Sequence, residues 1–133
     1  MKAPSTHQSL GSVSINGKSI KPKNAIHRRK LEALQIYVRG LLASPMRPRI
    51  AKIILFGSAA KGEVRSDSDI DLMVIGFDQL DKLRDASYNA ILDVAGTSDE
   101  GIEPLFENID EWIEPQSYFT YRVTRFGKEV YSV

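Results

Sequence analysis

Ile53-Ile54-Leu55-Phe56-Gly57-Ser58-Ala59-Ala60-Lys61-Gly62-Glu63-Val64-Arg65-Ser66-Asp67-Ser68-Asp69-Ile70-Asp71-Leu72-Met73-Val74-Ile75 is the stretch whose reading decides the fold. Two apolar runs, Ile53–Phe56 and Leu72–Ile75, are too short for helices and are bounded by turn-forming residues. Both therefore read as buried strands. The first empties into Gly57-Ser58, and the second is entered through Asp69-Ile70-Asp71. A Gly-Ser pair between a strand end and a helix start presents free backbone N–H groups to an anion. On a strand, side chains repeat with period two, so Asp69 and Asp71 share a face with α-carbons roughly 6.5–7 Å apart. Two carboxylates at that spacing can converge on metal ions about 3.5–4 Å apart, the arrangement for in-line phosphoryl chemistry. The stretch reads as a metal-dependent nucleotide site.

Two familiar motifs nearly fit and fail. Gly57 and Gly62 have the glycine spacing of a P-loop, but Glu63-Val64 stand where Lys and Ser/Thr are required. Asp67, Asp69 and Asp71 resemble the start of an EF-hand loop. Leu72, however, occupies the place of its sharp-turn glycine, and Asp78 that of its bidentate glutamate. An ordinary aspartate-rich turn is the plain alternative, since Asp and Ser favour turns for their own hydrogen bonds. Against it, two carboxylates at the entry of an apolar strand are costly to bury without partners.

Gly57-Ser58, ten residues, then Asp69-Ile70-Asp71-Leu72 resembles the signature of the DNA polymerase β nucleotidyltransferase superfamily, with Gly62 and Ser68 fitting as well. The chain is most similar to the minimal nucleotidyltransferases of bacteria and archaea, over roughly residues 50–133. One departure is visible: the family often carries Arg directly after Gly-Ser, where this chain has Ala59, with Lys61 two places on. The resemblance implies an α/β (α+β) fold, a small mixed sheet flanked by helices. It also implies transfer of a nucleoside monophosphate from an NTP, with ATP the expected donor and Mg²⁺ or Mn²⁺ the expected cofactor. Gly57, Ser58, Lys61 and Ser68 become the candidate nucleotide-binding residues. Asp69 and Asp71 become the candidate metal ligands and catalytic carboxylates. The family adds a third carboxylate from a later strand, for which Glu103 is the candidate and Glu107 the alternative. Such proteins often pair with a small helical, HEPN-like partner in toxin–antitoxin operons. The expectation is therefore a partner protein as acceptor, or a second copy completing the site, with a non-catalytic partner-binding protein of the same fold as the alternative.

The rest of the chain is consistent with one domain. It has 133 residues, 42% apolar and 26% charged, an ordinary globular composition. It contains no cysteine, which excludes disulfides, thiol catalysis and Cys-based zinc sites. Its apolar runs are far short of the ~20 residues of a bilayer span, and no signal-peptide core stands at the N-terminus, so a cytoplasmic, membrane-free protein is expected. The net charge of +1 is unevenly spread: Lys2, Lys18, Lys21, Lys23, Arg28, Arg29 and Lys30 face no acid in the first 30 residues. Residues 1–23, rich in Ser, Gly, Lys and Pro, read as a flexible basic tail ahead of a nucleotidyltransferase domain over 24–133. Such a tail could touch nucleic acid, though a merely solvated one is the plainer reading. His7 and His27 are near no nucleophile, which disfavours a Ser-His-Asp hydrolase.

Asn24 can cap a helix carrying Leu31, Leu34, Val38, Leu41 and Leu42 on one stripe, closed before Pro45 and Pro48. A short helix is expected at 59–63, a second long helix over 80–94 and a terminal helix over 118–126. Between them, Ile102–Phe106 reads as a strand in which Glu103, Leu105 and Glu107 share a face and Pro104 marks an edge. The end of the chain, 129–133, reads as a closing extended segment.

Overall fold

The computed structural model describes residues 11–113 and 117–133. Strands β1 (Val13–Ile15) and β2 (Lys18–Ile20) come first, then helix α1 (Ala25–Ala43) and a 3₁₀ turn at Arg47–Arg49. The central elements follow as β3 (Ile50–Phe56), α2 (Ser58–Lys61), β4 (Ile70–Gly76) and α3 (Leu80–Ala95). The chain closes with β5 (Ile102–Asn108), α4 (Ile109–Ile113), α5 (Tyr118–Phe126) and β6 (Lys128–Ser132).

The main sheet has the order β5-β4-β3-β6. The β3–β4 and β3–β6 pairs are antiparallel and β4–β5 is parallel, so the expected mixed sheet with flanking helices is present. The parallel pair needs a crossover, and α3 supplies it. Pro104 lies on edge strand β5, where a missing N–H is tolerated.

Helices α1 and α3 cover one face. Asn24 caps α1 by accepting from the His27 N–H at 2.8 Å. Leu31, Leu34, Val38 and Leu41 then interlock with Leu83, Ala90 and Val94 over Ile53, Leu55, Leu72 and Val74. Truncating one of these buried leucines to alanine costs about 2–5 kcal/mol. Tyr37 and Ser87 share a buried hydrogen bond of 2.6 Å between the two helices, and burial pushes the tyrosine pKa up to about 12. The opposite face is thinner: Ala51, Ile54, Met73 and Ile75 pack under Trp112 of α4 and Val123 of α5.

The expected flexible tail requires correction for residues 13–20. Asn16-Gly17, both at positive φ (50° and 82°), form the tight turn of a hairpin pairing Val13 with Ile20 and Ile15 with Lys18. Val13, Ile15 and Ile20 enter the main core. Alternation of apolar and polar residues gives this ribbon one greasy face, and α1 gives it a surface to cover; Gln35 donates to the Ser14 carbonyl at 2.7 Å. Residues 1–10 of the expected tail lie outside the described residues. Among the described residues no helix is long and apolar enough to cross a membrane.

Candidate active site

The site lies at one end of the sheet, where β3 ends and β4 and β5 begin. Register places Phe56, Asp71 and Glu103 on one rung across three strands, since Phe56 pairs with Asp71 and Asp71 with Glu103. Partners in register point to the same face, so Asp71 and Glu103 stand side by side on the face away from α1 and α3. Glu107 pairs instead with Ile75, four residues and about 13 Å further along the strand.

Gly57 holds φ 72° and ψ −154°, a backbone region open essentially to glycine alone. The demand is also spatial: a Cβ here would stand 2.5 Å from Asp71 Oδ2. The glycine turn and the second aspartate are therefore one fitted unit. From Gly57 the chain enters the single turn of α2, whose first N–H groups have no acceptor within the helix. Gly62, at φ 80°, ends it, with its N–H donating to the Ser58 carbonyl at 2.8 Å. Lys61 is exposed on this turn. The Ser68 hydroxyl donates to the Arg65 carbonyl at 2.7 Å and accepts from the Arg65 N–H at 3.2 Å. It is thus engaged in closing the loop that delivers Asp69.

The carboxylates press on one another. Glu103 is raised above its usual range by a hydrogen bond with the Asp69 carboxyl and by the charges of Asp69 and Asp71. Asp71 is raised by burial and then by the Asp69 charge. No salt bridge to any of the three exists among the described residues; every ion pair found there uses other acids. Among the described residues, too, no three ligating side chains already close into a metal cage. The chemistry of the donor set nevertheless fits a divalent cation: an open, mutually repelling carboxylate cluster is relieved by positive charge, and no side chain among the described residues supplies it. Gly101 extends the fit, since a Cβ there would collide with the Asp69 carboxylate.

Behind the cluster, α1 holds the same loops with buried polar hooks that the sequence did not reveal. Lys30, 1% exposed, donates to the Ser68 carbonyl and to Glu100 Oε1, both at 2.6 Å. It thereby ties the approach to Asp69 to the approach to Glu103. His27, 2% exposed, accepts from the Lys23 N–H at Nδ1 and donates from Nε2 to the Ala59 carbonyl at 2.8 Å, fastening α2. Burial, ahead of the charges of Lys128 and Lys23, lowers its pKa despite the Ala59 bond. In the sequence both sit inside a basic run; His27 stands four residues before Leu31 and Lys30 four before Leu34, which places them beside the buried stripe, the one signal available.

The family model described as Polymerase beta, Nucleotidyltransferase matches residues 43–133. A Methanocaldococcus jannaschii protein assigned as a protein adenylyltransferase is 39% identical over 61 residues, 46% of this chain and 60% of that relative. The chain thus spans about three fifths of the length of the curated relative it matches. The structure of a Sulfolobus solfataricus protein assigned as a nucleotidyltransferase superposes over 80% of this chain and 84% of its own, with a TM-score of 0.50 and 17% identity. That likeness concerns the fold.

Proposed function

The chain belongs to the polymerase beta nucleotidyltransferase family, and on that premise we propose that it moves AMP from ATP to a hydroxyl of a partner protein. The observation that carries this reading is the rung Phe56–Asp71–Glu103 closed against Gly57, which sets a glycine turn beside three carboxylates that have no ion-pair partner among the described residues.

The N–H groups at Gly57 and Ser58 and the Ser58 hydroxyl face the β- and γ-phosphates, where glycine permits close backbone approach. Lys61 adds a positive charge at the rim. Asp69 and Asp71, with Glu103, would hold Mg²⁺ or Mn²⁺, which when bound neutralises the triphosphate and stabilises charge on the departing pyrophosphate. Glu103, already raised by its neighbours, accepts the proton of the attacking hydroxyl. Its exposure leaves room for an acceptor to approach. The acceptor-binding surface comes from a small helical partner or a second copy of the chain, a pairing in which this protein acts as the antitoxin of a toxin–antitoxin couple. The M. jannaschii relative's assignment as a protein adenylyltransferase supports AMP and a protein acceptor.

Incubation with each nucleoside triphosphate and Mg²⁺ beside co-purified protein, followed by intact mass spectrometry, tests the reading. A mass gain of one AMP on the partner is expected. An unmodified partner alongside efficient labelling of a small molecule would overturn the protein acceptor.

A further inference from the structure

Beside the carboxylate cluster a cavity of about 350 Å³ opens between the end of β3 and α5. Its walls are the rings of Phe56, Tyr118, Phe119 and Phe126, with Lys61 and Arg122 as its cations. Phe56 and Phe119 meet edge to face, centroids 5.6 Å apart at 82°, which fixes one wall. The Arg122 guanidinium lies 4.9 Å from the Phe126 ring centre and 5.8 Å from that of Tyr118. Phe56 is half-buried against the core, but the three rings of α5 are not core: Tyr118 is 72% exposed, Phe126 52% and Phe119 43%. Clustered exposed aromatic surface of this kind marks a binding site.

The cavity adjoins the phosphate turn. Gly57 lines it, Lys61 of α2 is on its wall, and Phe56 is the register partner of Asp71. A molecule whose phosphates rest on Gly57-Ser58 has its remaining bulk within reach of these rings. About 350 Å³ is at the small end of ligand sites, which suit a compact flat ligand. Rings with a guanidinium among them bind a planar heterocycle by stacking and cation–π attraction.

We propose that this cavity takes the nucleobase of the triphosphate, with a purine favoured for its larger stacking face. The inference rests on the phosphate and metal reading of the Gly57–Asp71 site, and it adds how the donor nucleotide is chosen.

Calorimetry with Mg²⁺ and either ATP or inorganic tripolyphosphate separates the two. Wild type should bind ATP about fivefold to a hundredfold more tightly than tripolyphosphate, the scale of one stacked base, and ATP and GTP more tightly than UTP. Phe126→Ala and Tyr118→Ala, both at exposed positions that the core does not need, should erase most of that gap without moving tripolyphosphate affinity. Phe126→Trp should preserve it. An absent gap in wild type, or one that survives both truncations, overturns the base site while leaving the phosphate site standing. Truncations that weaken both ligands alike, or that split a dimer in sedimentation without touching the gap, also overturn it and give the surface to scaffolding or a second copy. If wild type binds neither ligand, the Gly57–Asp71 reading falls, and the base site with it.

Discussion

The front and the back of the same loops are built by opposite rules. At the front, Asp69, Asp71 and Glu103 repel one another and no cationic side chain among the described residues relieves them. At the back, the buried side chains are satisfied: Lys30 is shared between Ser68 and Glu100, and His27 has a partner at each ring nitrogen. Among the described residues no buried side-chain polar atom lacks a hydrogen bond. The difference teaches that the repulsion at the front is tolerated because the back is rigid. Carboxylates that repel one another are kept as neighbours because the loops carrying them are fastened from behind.

Four measurements break or sharpen that contrast. The largest effect belongs to the front. Asp69→Asn or Asp71→Asn should remove Mg²⁺-dependent nucleotide binding in calorimetry while the melting temperature holds or rises, because one like-charge contact is gone. Undiminished binding in both variants would falsify the site.

The back should give the reverse phenotype. Lys30→Met leaves Glu100, whose side chain is 11% exposed, without its partner and should cost up to about 3–5 kcal/mol in denaturant unfolding. Adding Glu100→Leu should recover part of that loss, since removing both charges is milder than stranding one. A single mutant as stable as wild type would mean that the loops need no tie from α1.

Glu103→Gln is expected next in size. It should keep nucleotide binding and lose about 10²-fold in turnover, as for a general base, whereas Glu107→Gln, a full four residues along β5, should do little. Exchanged phenotypes would put the working carboxylate beside Ile75 and not beside Asp71.

The smallest effect is a pH dependence from the back. The folded state holds His27 neutral, below its ordinary pKa of 6.5, so the unfolded chain binds the extra proton first. Stability from this group is present above pH 6.5 and declines as pH falls through 6.5 toward the folded value. Wild type should therefore lose stability between pH 7 and pH 5 more steeply than His27→Gln; parallel curves would contradict the buried neutral imidazole.

Much of this arrangement was legible in the sequence. Asn24 and the Leu31–Leu42 stripe located α1, the short apolar runs located β3 and β4, and the terminal helix expected over 118–126 is α5. The hairpin at 13–20 was legible too, through Asn16-Gly17 between alternating residues, but Ser, Lys and Gly content suggested a tail. Composition reports how many apolar residues a segment has. Whether three of them suffice depends on the surface waiting for them, and α1 provides it.

Where Gly57, Asp69 and Asp71 stand was readable by itself because the pattern is local: a backbone angle, a period of two and a fixed spacing. Glu103 needed the parallel register of β5 on β4, which no local pattern sets. Lys30, His27 and the aromatic cavity were decided by the tertiary structure alone, since each joins segments far apart in the chain and takes its meaning from burial. A lysine in a basic run is solvated by default; it becomes a buried tie only when folding brings Ser68 and Glu100 to it.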